Sequence, residues 1–89
     1  MYVTEQLCHI ISQTTFATLP SPAVEVAKRI ILDGIAVAVA GVGEEGPRIV
    51  AEHLKSLGAK EVATVLGQDF KTSPVSAAYV NGIAMHVLD

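Results

Sequence analysis

The run over residues 23–38 constrains this chain more than any other feature. Ala23, Val26, Ala27, Ile30, Ile31, Gly34, Ile35 and Ala38 recur at spacings of three and four, which is one face of a long helix. Glu25, Lys28 and Arg29 keep the outer face of its first half polar. The second half is apolar nearly all round, and a helix apolar on every side is one that packs on every side. Leu19-Pro20 breaks the chain before it, with Ser21 as N-cap and Pro22 at the first helical position. A chain organised around such a helix is mainly α.

The flanking segments agree. Leu7, Ile10, Ile11 and Thr14 predict an amphipathic helix over residues 4–17. Residues 41–46 read as a Gly-rich loop, after which Pro47 opens a third helix that runs to Leu57 and stops at Gly58. Ile49, Val50, Leu54 and Leu57 form its inner face, with His53 on the flank. Val62-Ala63-Thr64-Val65-Leu66 is short, β-branched and bounded by turn residues, the one credible strand. A fourth helix begins with Ser73 as N-cap and Pro74 at its first position, and runs on to Asp89. The expected fold is thus mainly α: about four helices with one short β-strand near residues 62–66.

Composition sharpens this. A chain of 89 residues is one domain at most and buries roughly 60–65% of its unfolded surface. Yet 51% of its residues are hydrophobic and only 17% charged, against about 25% charged in an ordinary globular domain. The surplus apolar surface is expected to meet something else, either further polypeptide or a second copy. The net charge is −3, and Lys28, Arg29, Arg48, Lys55, Lys60 and Lys71 are scattered. That distribution offers no stripe for a phosphate backbone and argues against nucleic acid as a partner. Cys8 stands alone, which excludes an internal disulfide and suits a reducing compartment; it reads as a small apolar packing residue. The first residues lack the pattern of a secretory signal, and the longest apolar run, residues 30–42, is broken by Asp33 and too short to cross a membrane. The expected setting is soluble and cytoplasmic, with no membrane partner.

Gly41-Val42-Gly43-Glu44-Glu45-Gly46 matches the G-x-G-x-x-G fingerprint of dinucleotide-binding units. Asp69 even follows at about the distance of a ribose-binding acid, roughly 20 residues. Three physical points oppose that reading. The apolar run ahead of the glycines keeps helical spacing, so the required strand is the end of a helix. Glu44 and Glu45 would repel a pyrophosphate where it needs N–H groups and positive potential. Nor can a chain this short hold a doubly wound sheet with helices on both faces. A dinucleotide-binding half-domain is therefore the weakest alternative, and no cofactor is expected.

The segment 77–89 carries the residues best suited to chemistry. On a helix, Gly82, His86 and Asp89 fall on one face. Gly82 leaves room for a close approach, beside an imidazole and a carboxylate one turn apart. Asn81 needs hydrogen-bond partners if buried, here expected from a neighbouring helix. Asp33, set among apolar residues, needs one too, for which Arg29 at i−4 is placed. His9 and His53 show no ligand spacing to His86 and Asp89, so no metal site is expected.

These blocks, taken in order, resemble the MmgE/PrpD family: Leu19-Pro20, Ala27-Lys28-Arg29-Ile30-Ile31-Leu32-Asp33, Ala40-Gly41, Ala63-Thr64-Val65-Leu66-Gly67, Ser73-Pro74, Ala77-Ala78-Tyr79-Val80-Asn81-Gly82 and His86-Val87-Leu88-Asp89. The match runs from about Leu7 to the end. One departure is Gly34, where the family often has Thr or Ser. The resemblance implies the N-terminal part of a large helical domain, usually in a homodimer, whose members dehydrate 2-methylcitrate, decarboxylate cis-aconitate or epimerise iminodisuccinate without a metal. Family members are several times longer. In them the last block continues into Phe-Asp-Asp, and Asp89 matches the first acid of that run, at the active site.

The expectation is therefore an N-terminal segment of a metal-free lyase or epimerase on a small di- or tricarboxylate. Asp89 is its catalytic candidate; His86, Asn81 and Gly82 are substrate-pocket or supporting residues. Met85 and Tyr79 read as core. The rival from another class is a non-catalytic helical interaction or dimerisation remnant. The reading frame beyond Asp89 separates them, since the enzyme needs further acids, His and Lys there.

Overall fold

The computed structural model describes residues 2–89. Four helices and a two-stranded antiparallel hairpin follow one another: α1 (Val3–Gln13), a 3₁₀ turn (Phe16–Thr18), α2 (Ser21–Gly41), α3 (Glu45–Leu57), β1 (Ala63–Thr64), β2 (Lys71–Thr72) and α4 (Pro74–His86). The chain is mainly α, as its periodicity predicts. It forms two compact units, one up to Ile30 and the other Ile31–Asp89.

In the first unit α1 is shorter than expected, and threonines explain why. Thr14 is extended (φ −84°, ψ 129°), and its hydroxyl donates to the Ile10 carbonyl at 2.6 Å. Thr15 and Thr18 then exchange bonds, with the Thr15 N–H donating to the Thr18 hydroxyl at 2.9 Å. Side chains that hydrogen-bond the nearby backbone compete with helix continuation, so residues 14–17 leave the helix. No α1 residue is buried. Cys8 is exposed, not a packing residue. The start of α2 also differs by one residue: the Pro20 carbonyl accepts from Ala23 and Val24, which makes Ser21 helical rather than the cap.

The second unit holds the core. Ala51 of α3, Val65 after β1, and Ala77 and Val80 of α4 are buried together, with Val50, Leu54, Ala63 and Phe70 packed against them. Ile49 and Leu57, expected on the inner face of α3, are exposed. That helix starts at Glu45, two residues ahead of Pro47, whose missing N–H falls within the first turn and costs no helical bond. Gly58, at φ 71°, ends it.

The end of α2 is buried on one face rather than all round. Ala38 is fully buried, whereas Ile31, Leu32, Ile35 and Val39 are exposed. Asp33 is exposed as well, so water serves its carboxylate and no buried partner is needed. Gly34 sits against Met85, where an added Cβ would lie 3.3 Å from the methionine Cε. At Gly41 an added Cβ would collide with the Ala84 carbonyl oxygen and come within 2.9 Å of Val87 Cγ1. The glycine therefore lets the end of α2 rest directly on the backbone of α4.

The expected strand is shorter than predicted and has a partner that was not. β1 pairs with β2 with Ala63 opposite Thr72 and Thr64 opposite Lys71. Lys71-Thr72 is too short and too polar to declare itself as a strand. Pairing gives the β1 backbone its hydrogen-bond partners, and Val65, directly after the strand, lies in the core.

Candidate functional site

Ser73 fixes where α4 begins: its hydroxyl accepts from the Ser76 N–H at 3.2 Å, with Pro74 in the first turn. The helix ends sooner than expected, at His86. Val87 still has helical angles (φ −63°, ψ −28°). Asp89 then lies beyond the helix, in a turn closed by its own N–H donating to the His86 carbonyl at 3.0 Å. Helices often tighten in this way at the C-terminus, as the last carbonyls find i+3 partners.

That turn brings two of the candidates together. His86 Nδ1 lies 3.4 Å from Asp89 Oδ2, and both side chains are largely exposed, at 77% and 78%. Gly82 is one turn back, and a Cβ built there would meet nothing within 4 Å. The bare patch beside an imidazole and a carboxylate is therefore present. Tyr79 on the same helix is exposed rather than core.

Asn81 is engaged elsewhere. Its Oδ1 accepts from the Leu66 N–H at 3.0 Å, and its Nδ2 donates to the Thr64 carbonyl at 3.1 Å. The partner is the backbone around Val65, not a neighbouring helix. A small cavity of about 10 Å³, room for a single water, is lined by Asn81 together with Val65, Val80 and Ala84.

Sequence reasoning missed an ionic contact between α3 and the loop that precedes β2. Lys55 on α3 lies 3.2 Å from Asp69 Oδ1, and its ammonium stands 5.7 Å from the centre of the Phe70 ring. The hydrogen bond and the charge of Lys55 hold the Asp69 carboxyl below its ordinary value of 3.8. The acid placed for a ribose is thus already paired with a lysine. A depressed folded pKa contributes stability above the unfolded value and loses it as pH falls through the folded one. Lys55→Met should accordingly raise the Asp69 pKa, followed by the carboxyl carbon shift in an NMR titration. An unchanged midpoint would show that Lys55 does not set it. This pair spans 14 residues, so no local pattern announces it.

The G-x-G-x-x-G segment has a different use. Residues 35–40, which would have to be a strand, lie within α2. Gly41 is spent on the contact with α4, while Gly43 and Gly46 face open space. Among the described residues no group of three or more His, Cys, Asp or Glu is placed to hold a metal ion. No helix among them is long and apolar enough to cross a membrane.

Comparison with known proteins matches residues 5–89 to the MmgE/PrpD N-terminal domain. A chain that matches along nearly its whole length belongs to that family. It is 34% identical over 88 residues to a cis-aconitate decarboxylase of Mus musculus. It is 31% identical over 88 residues to the cis-aconitate decarboxylase of Homo sapiens, and 34% identical over 79 residues to that of Aspergillus terreus. The alignments cover 98%, 98% and 89% of this chain but only 18%, 18% and 16% of those relatives. No solved structure matches.

Proposed function

We propose that this chain is the N-terminal segment of a metal-free lyase or epimerase that moves a proton at a carbon beside a carboxylate of a small di- or tricarboxylate. Family membership over residues 5–89, with cis-aconitate decarboxylases among the relatives, is the observation that carries this reading. Decarboxylation of cis-aconitate, dehydration of 2-methylcitrate and epimerisation share one requirement. A C–H proton must be removed, or a carbanion protonated, by a group held at the right place. Asp89 is the proposed acid or base, or the orienter of one. His86, 3.4 Å away, is its supporting partner, and Gly82 leaves the space for a ligand to approach.

A polyanionic substrate needs cations, and α4 carries no Lys or Arg. In this reading the cations come from polypeptide outside these residues, which also closes the site against water. The exposed apolar side chains Ile31, Leu32, Ile35 and Val39 support the companion proposal that further protein covers this face in a homodimer; a cytoplasmic setting belongs to the same proposal.

The polypeptide whose reading frame contains this chain should convert cis-aconitate or 2-methylcitrate, followed by proton NMR of the acids. The 89 residues by themselves should show no turnover above buffer. Inactivity of the longer polypeptide on both acids and on iminodisuccinate would remove the lyase and epimerase reading. It would favour a non-catalytic interaction module instead.

A further inference from the structure

We infer that Asn81 is a positioning residue, whose side-chain amide locks the rotation of α4 and so sets where the His86–Asp89 end points; it does not contact the substrate. The inference rests on the reading of that end as the site. Both functions of the amide are already used. The Leu66 N–H can only donate and the Thr64 carbonyl can only accept, which fixes the oxygen toward Leu66 at 3.0 Å and the nitrogen toward Thr64 at 3.1 Å. An extended backbone presents the carbonyl of one residue and the N–H two residues on toward the same side, so one planar amide reaches both.

The residue bracketed by these bonds is Val65, 1% exposed and part of the core with Ala51, Ala77 and Val80. A two-point contact resists twisting in a way that one bond or an apolar contact does not. Asn81 directly precedes Gly82 on α4, with His86 just over one turn further on. The helix can turn about its own axis only by breaking the Asn81 bonds or by dragging the segment 64–66, and Val65 with it. Gly41 sets how closely the end of α4 approaches α2, and Ala77, Val80 and Ala84 bury one face of the helix, but apolar contacts are not directional as a pair of hydrogen bonds is. Asn81 supplies what Gly41 lacks.

Two variants attack the contact from opposite sides. Asn81→Ala removes the amide, and Leu66→Pro removes the N–H that the amide accepts, at a turn position where proline is tolerated. Circular dichroism first establishes that each variant is folded, and Asn81→Leu, which keeps the approximate volume but neither hydrogen-bonding group, stands in if Asn81→Ala is not. Hydrogen exchange at the Leu66 amide should speed up roughly tenfold in Asn81→Ala, and the His86 ring resonances should move in the same direction in both variants. In the active polypeptide each single variant should lower kcat roughly tenfold with KM nearly unchanged, and the double variant should be no worse than the poorer single.

A raised KM at unchanged kcat would make Asn81 a ligand contact and overturn the inference. Additive effects of the two substitutions, an unchanged Leu66 exchange rate or unmoved His86 resonances would do so as well. If the polypeptide acts on none of the acids, the functional reading falls by itself. The exchange rate and the His86 resonances still decide whether Asn81 sets the helix.

Discussion

Asp89→Asn should lower kcat by roughly 10²-fold or more in an active polypeptide carrying this chain, the scale expected for losing a positioned acid or base. The substitution keeps the size of the side chain and removes its charge. Asp89 is exposed, and its one side-chain neighbour among the described contacts is His86 at 3.4 Å, so packing has little reason to change. His86→Gln should cost less, because the imidazole is assigned to supporting the carboxylate. Rate measurements at saturating substrate, with thermal unfolding as the control for stability, test both. Full activity in Asp89→Asn at unchanged stability would take Asp89 out of the proposed chemistry.

The second large effect concerns stability. Gly41→Leu should destabilise the second unit by about 1–3 kcal/mol, the usual scale for overpacking a close contact. For a domain of this size each kcal/mol lowers Tm by about 4–8 °C. The cause is specific: at Gly41 a Cβ meets the carbonyl of Ala84, which is backbone and cannot swing aside. Gly43→Leu is the matched control, since nothing lies within 4 Å of a Cβ there. Thermal unfolding by circular dichroism measures both. If Gly41→Leu melts with the control, the close approach of α2 and α4 is not what the structure indicates.

Much of the fold was readable because it rests on local chemistry. The stripe of α2, the Ser73-Pro74 start of α4 and the glycine stop of α3 each follow from residues within a turn or two of one another. What escaped depends on contacts distant in sequence or on weak local competition. β2 is two polar residues that become a strand only by lying against β1. The early end of α1 turns on threonine hydroxyls that choose the backbone over water. The expected burial of α2 on all sides assumed neighbours that these residues do not supply.

The candidate site divides in the same way. A pairing of His86 with Asp89 was legible, because residues three apart on a helix or a tight turn lie close. The bonds from Asn81 span 15 and 17 residues, so periodicity named the residue but not its partner. Asp69 is the converse case, a motif match that the surrounding residues already opposed. Its spacing from the glycines suggested a ligand contact, whereas the fold brings Lys55 to it instead.

The capped start of α4 carries a consequence for insertions and deletions. With its origin held at Ser73 and its phase held at Asn81, α4 behaves as a ruler read at its far end. Adding or deleting one residue between Asn81 and His86 would leave both anchors intact, yet swing the imidazole by about 100° and displace it by about 1.5 Å. The chemical character of residues 83 and 85 can vary within the limits of packing, but the number of residues from 82 to 85 cannot. Along this helix, spacing is held more tightly than composition.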